Sequence, residues 1–186
     1  MVDNLDGLLS PYLRRRRLKA AIPHIRGVVL DYGCGIGLLC GALRAENYVG
    51  VDIDDRVLKH AKRCYPKARF YHVNQMSEFR EEKFDSIVGL AVIEHLPDPV
   101  AFLSDCQSRL RDNGRIILTT PSPLLDWAHG LGARVGLFAK ESHNEHQSLM
   151  GHEALKSVAE TVDLQLCHYR RFLLGANQLA ILAKRS

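Results

Sequence analysis

The stretch VLDYGCGIGLL, Val29 to Leu39, closes an apolar run on Asp31 and then sets glycine at positions 33, 35 and 37. The run GVVLDYG (27–33) is β-branched and apolar up to its last residues, the pattern of a strand buried on both faces. The next segment, IGLLCGALRAE (36–46), places Leu38, Leu39, Ala42 and Leu43 on one helical face and predicts a helix. The glycines therefore fall at a strand-to-helix junction, where backbone can come close to a bound group and take φ > 0.

Outward from this junction the alternation continues. NYVGVDI (47–53) predicts a second strand, and Asp54-Asp55 can cap a helix that carries Val57, Leu58 and Ala61. ARFYHVN (68–74) and FDSIVGLAV (84–92) predict a third and a fourth strand. PVAFLSDCQSRLRDNG (99–114) predicts a helix stopped by Gly114, and RIILTT (115–120) a fifth strand. HEALKSVAETV repeats Leu155, Val158, Ala159 and Val162 at helical spacing. LQLCHYRRFL (164–173) and QLAILAK (178–184) predict two strands joined by the short connection 175–177, which only an antiparallel pair allows. The expected fold is α/β: a doubly wound, mostly parallel seven-stranded sheet with an antiparallel last strand. Ligands of such sheets bind beyond the carboxyl ends of the strands, where the glycines lie.

Composition narrows the class. The 186 residues suit one domain, with a basic N-terminal helical segment over 1–26 and an aperiodic stretch over 121–150 that holds Trp127, His143 and His146. No apolar run approaches the roughly 20 residues of a membrane span. In the N-terminal segment the apolar stretch precedes RRRR (14–17), the reverse of an export signal. The five cysteines are odd in number and lack a Cys-x-x-Cys, so reduced thiols in a cytoplasmic protein are expected. The formal net charge is +4: residues 1–26 hold six Lys/Arg against Asp3 and Asp6, and the rest holds nineteen charges of each sign. A nucleic-acid footprint is expected to spread over a face, whereas this is one basic segment on a neutral body.

The spacing of the glycines discriminates between ligands. No Gly-Lys-Ser/Thr closes the loop, which excludes a P-loop, and Gly-x-Gly-x-Gly is not the dinucleotide pattern Gly-x-Gly-x-x-Gly. Asp31 at the strand end would repel a pyrophosphate. It suits a ligand with an ammonium group beside a carboxylate, such as the amino-acid end of S-adenosylmethionine. Asp52, ending the second strand in VGVDIDD, can accept both hydroxyls of a ribose.

With VLDYGCGIG, YVGVDIDDRVLKHAK, FDSIVGLAVIEHLPDP and GRIILTTPSP in place, the chain resembles the class I S-adenosylmethionine-dependent methyltransferases, with a Rossmann-like fold, over essentially its whole length. VIEHLPDP is similar to the subgroup that includes the quinone-biosynthesis methyltransferases. The resemblance implies that S-adenosylmethionine is the cofactor, with Asp31, Gly33, Gly35 and Gly37 at its methionine end and Asp52 at the ribose. Ile53 would pack on adenine, and the Leu90 carbonyl would face the amino group. Where the family has an aspartate after the third strand, this chain has VNQMSEF, so Asn74 or Gln75 would accept from the adenine amino group beside Met76.

Catalysis by such a fold rests mainly on alignment, with a base needed for a hydroxyl acceptor. Glu94 and His95, just past the fourth strand, are candidates for that base; the plainer alternative is that they hydrogen-bond loop backbone. His146 is a third candidate, in the 121–150 segment expected to form a substrate lid. Relatives that bind a divalent metal use Glu-x-x-Glu-His; Ala91 stands at the first glutamate here, so no metal is expected. The Arg14–Arg17 cluster is a solvated helix face or a basic rim for an anionic acceptor. The expected activity is methyl transfer to a small-molecule acceptor, with oxygen favoured. The alternatives are an RNA methyltransferase and a catalytically silent protein that binds S-adenosylmethionine or S-adenosylhomocysteine.

Overall fold

The computed structural model describes residues 10–123 and 150–185. Seven strands form one sheet in the order β3-β2-β1-β4-β5-β7-β6. The strands are β1 (Val29–Tyr32), β2 (Tyr48–Asp52), β3 (Arg69–His72), β4 (Phe84–Leu90), β5 (Leu110–Pro121), β6 (Leu164–Phe172) and β7 (Asn177–Lys184). Neighbours from β3 through β5 pair in parallel, and β7 runs antiparallel to both β5 and β6. Strand order reverses between β1 and β4, so the loop that leaves β1 opens at the switch point of the sheet.

Helices cover both faces. On one face α3 (Pro99–Arg109) and α4 (His152–Thr161) bury Leu103, Cys106, Leu155 and Ala159 against Leu30, Ile87, Ile116, Leu118 and Leu182. On the other, α1 (Ser10–Ala21) and α2 (Asp55–Cys64) set Ala21, Leu58 and Ala61 against Val29, Val88, Ile117 and Leu179. The alternation of β5 divides its side chains between the two cores, Ile116 and Leu118 to one and Ile117 to the other. Asp54 caps α2 as expected, its side chain accepting from the Arg56 amide at 2.8 Å.

Two helix expectations are corrected. Residues 36–46 form turns and short 3-10 segments, Cys40–Ala42 and Ala45–Asn47, in place of an α-helix. Gly37 has φ +82°, which breaks a right-handed helix in its first turn, and the Tyr65 ring lies close over Gly37 and Gly41. The anion site that a helix N-terminus would supply here is therefore not built. The second correction is at 99–114, where the helix ends at Arg109. Leu110 turns extended, is 1% exposed and pairs in register with Phe84. Sheet pairing and burial overrule the helical pattern, and Gly114, expected as a helix stop, lies within β5 directly against the Leu110 side chain.

Among the described residues no helix is long and apolar enough to cross a membrane.

Candidate cofactor and acceptor site

Asp31 sits inside β1, 3% exposed, and its Oδ2 accepts from the Tyr48 hydroxyl of the neighbouring strand. Burial raises its carboxyl to about 7; the Tyr48 hydrogen bond opposes that shift and the nearby Asp52 adds to it. An acid so placed gains an ionised form when a cation arrives beside it.

Past β1 the chain takes positive φ at Gly33 (+66°), Gly35 (+53°) and Gly37 (+82°). A Cβ at Gly33 would stand 2.7 Å from the Val92 side chain, whereas one at Gly35 would meet nothing within 4 Å. Gly33 is thus required by packing and Gly35 leaves open the space into which a ligand fits. Two hydrogen bonds hold the loop to the end of β2. The Cys34 amide donates to the Val51 carbonyl at 3.0 Å, and the Gly35 amide donates to Asp52 Oδ2 at 2.8 Å. Asp52 Oδ1 accepts from the Asp54 amide at 3.0 Å. Each Asp52 oxygen has one acceptor position filled, and a carboxylate offers about four, so two remain for a diol.

Asp31, Gly33 and Gly35 open into a cavity of about 240 Å³ that Leu90, Arg14 and Arg17 also line, among others, and Asp52 stands behind it through its bond to the Gly35 amide. A buried carboxylate, an open backbone cradle and a second carboxylate at the next strand end fit the amino-acid and ribose parts of S-adenosylmethionine. Ile53 is 77% exposed beside Asp52, an apolar surface free to cover a ring.

The structure separates the two amides expected near adenine. The Gln75 side chain accepts from the His72 amide at 3.0 Å and donates to Glu78 at 3.0 Å, so it caps the 3-10 turn Val73–Phe79. Asn74 remains exposed, with Met76 half-buried next to it. His72 is a residue the sequence reading did not single out. Its Nδ1 accepts from the Asn74 amide at 3.2 Å, which leaves Nε2 to donate to the Ile53 carbonyl at 3.1 Å. A single imidazole thereby ties together the two segments, Ile53 and Asn74, that would enclose adenine. A histidine ending a strand just before an Asn-Gln pair was the available signal.

At the end of β4, Ala91 adopts φ +58° and its amide donates to the Thr119 carbonyl at 2.7 Å. This turn sends Glu94 inward and His95 outward: Glu94 is 6% exposed and His95 is exposed. Neither Glu94 oxygen makes a hydrogen bond of ordinary geometry among the described residues, although the Thr120 hydroxyl and a backbone amide lie close enough to favour its charged form. Burial raises the Glu94 carboxyl, with Thr120, His95 and Arg17 acting in the opposite sense. Arg17, from α1, donates from Nε to the buried Asn177 side chain at 2.8 Å. The N-terminal helix is thus a wall of the cavity, and Arg14 and Arg17 are part of it rather than a uniformly solvated face. His146, with Trp127 and His143, lies outside the described residues, as does most of the 121–150 segment.

With this geometry in place, the comparisons with known proteins agree on one family. A family model described as "Methyltransferase domain" matches residues 6–169. The ubiquinone biosynthesis O-methyltransferase of Acinetobacter baylyi is 25% identical over 158 residues, covering 76% of this chain and 66% of that protein. The human mitochondrial ubiquinone biosynthesis O-methyltransferase is 28% identical over 186 residues, covering 89% of this chain and 50% of its own length. The chain spans about half the length of many of the curated relatives it matches. Among solved structures, the magnesium protoporphyrin IX methyltransferase of Synechocystis with bound SAH superposes with a TM-score of 0.71 at 16% identity, covering 98% of this chain and 90% of that one. The methyltransferase domain of a bacterial Hen1 gives 0.68 at 19% identity, covering 94% of this chain and 100% of that one. At these identities the structural likeness speaks for the fold.

Proposed function

The chain belongs to the methyltransferase-domain family, with S-adenosylmethionine as cofactor, and on that premise we propose that it methylates an oxygen of a small, anionic acceptor. The cofactor supplies an electrophilic methyl group on a sulfonium. The residues of this chain hold the reactants and take up the proton. Asp31 receives the ammonium group, the Gly33–Gly37 loop receives the methionine backbone, Asp52 takes the ribose hydroxyls, and Asn74, Met76 and Ile53 enclose the adenine. Arg14 and Arg17, which line the same cavity, would face an acid group of the acceptor.

The observation that carries the oxygen reading is Glu94. A buried carboxyl whose nearest donors, the Thr120 hydroxyl and a backbone amide, do not reach ordinary hydrogen-bond geometry keeps acceptor positions open to a further donor. An acceptor hydroxyl is such a donor: as its oxygen gains the methyl, its proton passes to the Glu94 carboxylate. His95, next in the chain and exposed, would relay that proton to water. The names of the ubiquinone relatives support oxygen as the methylated atom.

The test is a calorimetric titration with S-adenosylmethionine, S-adenosylhomocysteine and NAD in parallel, followed by turnover on hydroxylated aromatic acids. Binding of the first two without NAD, and an O-methyl product that disappears in Glu94→Gln, is expected. Binding of NAD alone overturns the cofactor assignment, and an N- or C-methyl product overturns the oxygen reading.

A further inference from the structure

The sequence confines the excess positive charge to residues 1–26, but folding gathers further cations beside it. On α1, Arg16, Lys19 and Ala20 face away from the cofactor cavity and toward edge strand β6, where they line a hollow of about 200 Å³ with Arg170 and Phe172. A second hollow, of about 340 Å³, is lined by His24, Arg26, Arg115 and His168, among others. His168, Arg170 and Phe172 alternate along β6 and so share one face. None of the residues lining either hollow is a carboxylate. The Asp85 carboxylate, near Arg26, is engaged by the Arg111 guanidinium at 2.6 Å and the Val28 amide at 2.8 Å.

Rings are interleaved with these cations. Arg16 lies over the Tyr12 ring at 5.9 Å and Arg170 over the Phe172 ring at 6.0 Å. The His24 and His168 rings stand 5.5 Å apart, tilted by 32°. Arg170 also donates to the Ala20 carbonyl at 3.4 Å, which joins the strand to the helix across the groove. The proton affinity of His24 is lowered, first by burial and then by His168, Arg170 and Arg115, as expected of a pocket in a positive field.

We propose that the groove between α1 and β6 is a docking site for single-stranded RNA, with Arg16, Lys19, Arg115 and Arg170 on phosphates and the Tyr12, Phe172, His24 and His168 rings against bases. A row of cations alone would suit any polyanion. Cations alternating with rings match a chain that alternates phosphates with flat bases, and only an unpaired strand can present those bases. RNA is the nucleic acid that cells hold chiefly single-stranded. The groove and the cofactor cavity lie on different faces of α1, so docking here does not depend on the acceptor proposed above.

The experiment is fluorescence anisotropy of a labelled oligouridylate of about 12 nucleotides, titrated with the protein over a salt series starting at about 50 mM. Binding with a log–log salt slope of about −2 to −3 is expected from four phosphate contacts at ~0.7 per phosphate on a single strand. Arg16→Gln/Lys19→Gln should make that slope shallower by about 1.4 and weaken binding about tenfold or more. Both side chains are exposed, and unchanged calorimetric affinity for S-adenosylmethionine shows that the variant is folded. Absence of RNA binding by a protein that still binds S-adenosylmethionine overturns the proposal, as does equal binding by the double variant. Equal or tighter binding of single-stranded DNA overturns the assignment to RNA. Capture by phosphatidylserine vesicles in place of RNA, through the exposed Leu174 at the β6–β7 turn, overturns it as well.

Discussion

The Gly35 amide donates to Asp52 Oδ2 at 2.8 Å, so the carboxylate proposed for the ribose also anchors the glycine loop. Removing it has two effects. Asp52→Ala should cost roughly 1.5–3 kcal/mol of charge-assisted hydrogen bonding to the ribose, or about 10- to 100-fold in cofactor affinity, with a further loss from the released loop. Asp52→Asn keeps one oxygen for the amide and should fall between wild type and alanine. Calorimetry on both variants checks the order; equal losses would mean that the loop contact is immaterial.

Gly35→Ala tests the open space on the other side of that bond. The new Cβ meets no protein atom within 4 Å, yet φ is +53°. Strain of about 1–2 kcal/mol is expected in thermal stability, together with loss of most cofactor binding because the methyl group stands in the cavity. A variant of ordinary affinity would place the ligand elsewhere.

Asp31 predicts a pH-dependent cofactor. Its carboxyl is raised to about 7, so below that pH the free protein holds a proton that an incoming ammonium must expel. Affinity should fall about tenfold per pH unit below 7 and level off above it. Proton release at pH 6 should appear as a dependence of the binding enthalpy on buffer, and Asp31→Asn should abolish it. The sign for stability is opposite to that of a salt-bridged aspartate. In the unliganded protein the raised value contributes stability that is complete below about 3.9 and lost as the pH climbs toward 7.

Glu94→Gln should separate stability from catalysis. It removes a buried carboxyl whose ionisation burial already disfavours, so the melting temperature should hold or rise. Turnover should drop by about 10²–10⁴ with the cofactor affinity unchanged, the range for loss of a general base. If KM alone moves, Glu94 positions the acceptor and does not take its proton.

A fourth carboxylate bears on the scaffold. Asp105 accepts from the Tyr32 hydroxyl and from Arg109 Nε at 3.0 Å, and Arg109 is 8% exposed. Asp105→Ala strands a buried guanidinium and should destabilise the fold by about 2–3 kcal/mol in chemical denaturation. The cofactor should still bind.

The doubly wound sheet, the reversed strand and the positions of Asp31 and Asp52 at strand ends were legible because they rest on local signals. Val29 to Tyr32 is buried on both faces and reads as apolar; the connection, read as 175–177 and found at 173–176, is too short for a crossover; Asp31 and Asp52 stand at strand ends. The failures share a cause in tertiary packing. Residues 36–46 carry a helical pattern that Gly37 at φ +82° and the ring of Tyr65 override, and Leu110 leaves its helix to pair with Phe84. Gln75 looked available for adenine, yet its amide satisfies His72. The burial of Glu94 and the exposure of His95 follow the left-handed Ala91, a conformation that no alanine announces.

Helix α1 offers Arg14, Arg17 and Leu18 to one cavity and Arg16, Lys19 and Ala20 to another. One rigid rod is therefore a shared partition, and its position is a single variable on which both compartments depend. A ligand that displaced it from one side would change the free energy of occupancy on the other. Thermodynamic reciprocity then requires the effect to have the same size in both directions. The helix that a linear reading gives as a solvated face or a basic rim is, in the folded molecule, a wall common to both hollows.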